Sequence, residues 1–72
     1  MPLAMMGAGS RAKVAAVTGA DAVRKHLGSL GFVPGVVVRV VSITDGSMIL
    51  AIHDSRIAVN EELTRRVRVE AA

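Results

Sequence analysis

Along the chain, apolar and polar positions alternate with a period of two, except for one interval with a helical period. From Arg11 to Val17, Arg11 and Lys13 fall on one side and Ala12, Val14 and Ala16 on the other. That is the signature of a half-buried strand. Thr18-Gly19-Ala20-Asp21 reads as a loop, with Asp21 placed to cap a helix. Val23, Leu27 and Leu30 then recur at i, i+4 and i+7, a single helical stripe with Arg24 and Lys25 off it. Gly28 inside this helix costs about 1 kcal/mol against alanine and is expected to admit a close backbone approach.

The stripe ends in a compact junction. Gly31 follows Leu30 where a helix C-terminus favours positive φ, which glycine adopts without a Cβ clash. Pro34 presets the first corner of a turn, and Gly35 suits the positive φ of the second. Gly31, Pro34 and Gly35 are therefore structural turn residues. All of Val36 to Val41 except Arg39 is valine, and this β-branched run predicts a strand to Ile43. Thr44-Asp45-Gly46-Ser47 carries a hairpin signal, and Met48 to His53 returns as the next strand. His53-Asp54-Ser55 is a second tight connection, with Asp54 the residue expected to tolerate left-handed φ. A short strand is predicted over Arg56 to Val59. Asn60-Glu61-Glu62 can then cap one helical turn. Arg66 to Glu70 alternates strictly, with valines inward and charges outward.

The predicted fold is mainly β: five short strands in a small closed or nearly closed barrel, with a short helix between strands 1 and 2 and a helical turn before the last strand. Closure removes edges that an aliphatic sheet would otherwise expose. The 72 residues make one domain, 1–72, and a chain this short buries only about 60% of its unfolded surface. It has no cysteine, so no disulfide or thiolate metal site can staple it. Stability has to come from aliphatic packing, weak self-association or a partner, and 51% of the residues are hydrophobic. Phe32 is the sole aromatic residue. Base-stacking platforms and proline-peptide grooves both need rings, so neither can be built and nucleic acid is not an expected partner.

The net charge is +3, with nine basic residues spread along the chain rather than gathered in one run. That reads as a solvated surface. No apolar run approaches the ~20 residues of a membrane span, so no direct membrane insertion is expected. Met1 to Gly9 is apolar but lacks the basic start of a signal peptide, and a cytoplasmic location is expected.

Candidate chemistry is sparse. No serine lies in a nucleophile-elbow pattern, and neither His26 nor His53 has an evident acid–base partner. The expectation is no catalytic residue and no enzyme. For metal, the weak candidates are His53-Asp54 and Glu61-Glu62, adjacent pairs that suit a divalent transition metal such as iron or zinc but follow no ligand-spacing rule. The bland reading makes them turn, strand-end and helix-cap residues. Met1, Met5 and Met6 could ligate Cu(I) but fit better as apolar filler. Arg65, Arg66 and Arg68 could meet phosphates, or form a solvated strand face with Glu70 as a compensating charge. Leu27, Leu30 and Phe32 carry two open readings: a lid over one barrel end, or an exposed patch for a partner.

Taken in order, these residues resemble the FeoA family, small accessory proteins of bacterial ferrous iron uptake. Leu3, Met6, Gly9 and Val14 match its opening, and Arg24-Lys25-His26-Leu27 with Leu30-Gly31-Phe32-Val33-Pro34-Gly35 matches its helix end and turn. Val36 to Val41, Ile57-Ala58-Val59, Glu61-Glu62 and Val67-Arg68-Val69 match its later strands and helical turn. The resemblance implies an SH3-like barrel and a non-enzymatic cytoplasmic protein. It also implies recruitment to the inner face of the membrane by FeoB, the permease with a cytosolic GTP-binding domain, with modulation of transport or GTP turnover. The same domain occurs in iron-dependent repressors, so the alternative it implies is a transition-metal-binding regulator or carrier. Three departures stand out: His26 where arginine is common, Asp54 where glycine is common, and Asn60-Glu61 in place of a basic pair.

Overall fold

The computed structural model describes residues 1–72. Its five strands are β1 (Arg11–Val17), β2 (Val37–Thr44), β3 (Ser47–Ile52), β4 (Ser55–Asn60) and β5 (Val67–Ala71). They form one antiparallel sheet in the order β4-β3-β2-β1-β5. Helix α1 (Asp21–Ser29) joins β1 to β2, and one helical turn, α2 (Glu61–Thr64), joins β4 to β5. The mainly β expectation therefore holds, strand by strand to within a residue or so.

The sheet curls around thirteen buried apolar residues, among them Val14, Leu27, Phe32, Val38, Leu50 and Val67. The ladder is open between β4 and β5. Helix α2 and a 3-10 turn at Leu3–Met5 lie across that gap, and Leu3 is fully buried there. The free edge of β5 is covered by the first residues: the N-terminal ammonium donates to the Val69 carbonyl at 3.0 Å, and the Val69 N–H donates to the Met1 carbonyl at 2.7 Å. Pairing of this edge removes an aggregation hazard. The filler role expected of the methionines applies to Met6, which is half-buried against the core, and not to Met1 and Met5, which are 54% and 71% exposed.

Two bulges curl the sheet and alter which side chains share a face. In β1, Val14 pairs with Val69 and Ala16 with Arg68, leaving Ala15 without a partner. The extra residue reverses the phase of the alternation. Ala16, expected inward, is exposed, and Val17 instead faces Val67. In β2, Val40 pairs with Leu50 and Ser42 with Ile49, leaving Val41 unpartnered.

Local chemistry departs from expectation at three points. Asp21 is the first residue of α1 rather than its cap; the cap position falls on Ala20, which has no side-chain acceptor, while the Asp21 carboxylate pairs with Arg24. In the β3–β4 turn the left-handed residue is His53, at φ 52°, and not Asp54. No atom lies near the position a Gly28 Cβ would occupy, so no backbone approaches there.

Candidate functional site

The helix-to-strand junction is built as its residues dictate. Gly31 adopts φ 107°, its N–H donates to the Gly28 carbonyl at 3.0 Å, and the Phe32 N–H donates to the Leu27 carbonyl at 3.1 Å. This pair of bonds is the glycine-closed helix end known as the Schellman motif, which brings together the side chains flanking it. Here those are Leu27 and Phe32, 0% and 2% exposed. Gly35 takes φ 94°, and the Val36 N–H closes the Pro34 turn on the Val33 carbonyl at 3.0 Å. Of the two readings open for the stripe, the structure places Leu27 and Phe32 in the core, with Leu30 half-buried against it. Leu27 and Phe32 present almost no side-chain surface to solvent. The exposed large apolar residue of this segment is Val33, at 49%.

The candidate metal ligands are not gathered. His53 and Asp54 occupy the β3–β4 turn, whereas Glu61 and Glu62 begin α2 at the far end of the same ladder. Six ladder positions separate them, roughly 17–20 Å at strand rise. Both glutamates are engaged elsewhere: Glu61 accepts from Arg65 at 2.9 Å and Glu62 from Arg66 at 3.1 Å. No three metal-ligating side chains converge anywhere in the chain. The four candidate residues therefore do not form one site. His26 lies exposed in the last turn of α1.

Arg65, Arg66 and Arg68 divide in the same way. The first two are locked to α2, while Arg68 is exposed on β5 opposite Ala16. Glu70, expected to compensate them, pairs instead with Lys13 across β1–β5 at 3.5 Å.

The structure does assemble a charged feature absent from the linear sequence. Arg11 of β1 stands directly opposite Arg39 of β2, Arg39 opposite Ala51 of β3, and Ala51 opposite Arg56 of β4. The flanking Ala12, Val38, Val40, Leu50 and Ile52 are all buried, so this transverse row lies on the outer face of the sheet. Its three arginines are exposed, and none forms an ion pair or side-chain hydrogen bond. The basic residues thus look dispersed in the sequence but are partly gathered in space. The missing signal is the bulge at Val41: an unbroken ladder counted back from the Thr44–Ser47 pair would set Arg39 opposite Ile52, facing inward.

Two hollows mark the surface. A groove of about 170 Å³ lies at the barrel mouth between Ala4, Ile43, Met48 and Thr64. An open trough of about 600 Å³ runs along the outer face past Arg11, Val37, Arg39, Ala51 and His53. No buried side-chain polar atom lacks a partner, and Thr64, the one buried polar residue, donates to the Glu61 carbonyl at 2.8 Å. No helix is long and apolar enough to cross a membrane.

The profile of the FeoA domain matches residues 1–71. Among solved structures, an iron uptake regulatory protein (FeoA) is 31% identical at a TM-score of 0.90, covering 97% of this chain and 93% of its own. FeoA of Stenotrophomonas maltophilia, complexed with zinc, is 29% identical at a TM-score of 0.83, with coverages of 97% and 89%. That protein is described as an SH3 domain and put forward as a ferrous iron transport activating factor. A manganese-dependent transcriptional repressor shares the fold at a TM-score of 0.90 and 19% identity, and all of this chain covers 41% of that one. No curated protein matches the chain significantly.

Proposed function

The chain belongs to the FeoA family, and we propose that it is a cytoplasmic, non-enzymatic accessory protein of ferrous iron uptake that binds the cytosolic part of the FeoB permease and modulates transport or GTP turnover. The observation carrying this reading is the family match over residues 1–71, which takes in nearly every element of the barrel. The relative put forward as a transport activating factor lends it direction. The chain's own chemistry agrees with an interaction role. Its histidines lie on separate surface elements, its buried polar group is spent within α2, and its hollows are open. The alternative, a metal-binding regulator or carrier, would need ligands drawn together, and His53-Asp54 and Glu61-Glu62 stand at opposite ends of one ladder.

Titration of the intact chain against the purified cytosolic domain of FeoB, and against full-length FeoB in nanodiscs, tests the reading. Saturable binding with a change in GTP hydrolysis or iron flux is expected. Absence of binding to both forms sinks it.

A further inference from the structure

We propose that the row Arg11–Arg39–Arg56, together with the trough beside it, is a docking surface for an acidic segment of a protein partner. The inference deepens the accessory-protein reading, on which it rests, by naming the chemistry of the contact.

The first argument is uncompensated charge. Two arginines directly opposed on an antiparallel pair repel each other and destabilise the ladder. Where the chain otherwise places basic residues near acids it pairs them: Lys13 with Glu70, Arg24 with Asp21, Arg65 with Glu61 and Arg66 with Glu62. The outer row alone gathers three guanidinium groups with no carboxylate among them. An acidic partner would remove the repulsion and gain attraction at once.

The second argument is geometry. Neighbouring strands lie about 4.8 Å apart, so Arg39 stands one strand from Arg11 and two from Arg56. Same-side residues of an extended chain repeat at roughly 7 Å and those of a helix turn at roughly 6 Å. Long arginine side chains can meet carboxylates presented at either spacing. The guanidinium fork holds a carboxylate in bidentate fashion, which fixes direction as well as affinity.

The third argument concerns the surface between the charges. Ala51 keeps the centre of the row low, and Val37, 40% exposed, adds apolar wall to the trough. A mixed acidic and apolar segment suits such a floor better than a lipid headgroup plane. Nucleic-acid bases find no stacking partner, since Phe32, the sole ring, is buried.

The test uses the intact 15N-labelled chain with a soluble poly-glutamate peptide, phosphatidylserine vesicles and duplex DNA as separate probes. With the peptide, amide shifts are expected to centre on Arg11, Arg39, Ala51 and Arg56, and to fade as salt rises. The double variant R39Q/R56Q should lose roughly tenfold in affinity per arginine, whereas R24Q/K25Q on α1, which removes the same formal charge, should bind like the parent. Thermal melts of R39Q/R56Q should hold or rise, because the opposed pair is relieved, so lost binding is not lost folding. Equal loss in both variants, shifts centred elsewhere, or binding to vesicles or DNA without binding to the peptide overturns the proposal. The FeoB cytosolic domain separates the two readings. If it binds the parent and R39Q/R56Q equally, the docking surface is wrong and the accessory role stands. If neither it nor full-length FeoB binds the parent chain while the peptide binds at the row, the accessory role is wrong and the surface stands.

Discussion

The two helices of this small barrel are stabilised by opposite means. Helix α2 has four residues, yet nearly every side chain in it holds the turn together. Asn60 accepts from the Leu63 N–H at 2.9 Å, Glu61 and Glu62 reach Arg65 and Arg66, and Thr64 bonds back to the Glu61 carbonyl. Its acids also sit at the positive end of the turn. Helix α1 is more than twice as long, begins at an alanine without a side-chain cap, contains Gly28, and buries Leu27 alone. Isolated helices of this length are marginal in water. Its persistence therefore depends on burial: Leu27 is enclosed and closed against Phe32 by the glycine-ended turn, with Val23 and the C-cap Leu30 half-buried against the same core. A helix written in local hydrogen bonds and a helix held by tertiary burial should fail in different ways.

The largest effect is expected at the anchor. Leu27→Ala removes the buried residue of α1 and should cost about 2–5 kcal/mol, a large share of the stability of a domain this size. Urea unfolding measures the loss, and amide exchange should show α1 opening before the sheet. Next comes Gly31→Ala. A Cβ at φ 107° would meet the Ile52 Cγ2 at 3.0 Å, and left-handed strain alone costs about 1–2 kcal/mol. The same unfolding assay should register at least that much. Asn60→Ala removes the side-chain cap of α2 and should cost about 1 kcal/mol, read as lost exchange protection at the Leu63 amide. The smallest effect is a gain: Ala20→Ser supplies α1 with the acceptor it lacks, at a residue already in cap geometry (φ −66°, ψ 158°). It should add about 0.5–1 kcal/mol and slow exchange in the first turn of α1. If that substitution stabilises as much as Leu27→Ala destabilises, the contrast between the helices is false.

The features legible in the sequence divide along the same line, between local and non-local causes. The Gly31 and Gly35 turns, the Asn60 cap and the approximate bounds of all five strands rest on near neighbours, and the structure matches them. The bulges at Ala15 and Val41 are set by pairing with another strand, so alternation in one segment cannot show them. They carry Ala16 to the outer face and Arg39 into line with Arg56. The left-handed residue of the second hairpin is equally hidden, because both His53 and Asp54 can adopt that conformation. The core role of Leu27 and Phe32 could not be separated from a surface role by periodicity, since an apolar stripe looks alike whether a barrel or a partner covers it.

The unpaired Val41 also bears on how the molecule acquires its register. Closure of the β2–β3 hairpin from the Asp45–Gly46 turn, residue against residue without a skip, would drive Arg39 toward the apolar interior opposite Ile52. A lone guanidinium there would lose its hydration with nothing in exchange, which disfavours that register. Leaving Val41 out of the ladder sets Val40 on Leu50 and keeps Arg39 in solvent. The charge of Arg39 thereby helps select the alignment of the β2–β3 hairpin: it penalises the unskipped register and is met without cost in the observed one.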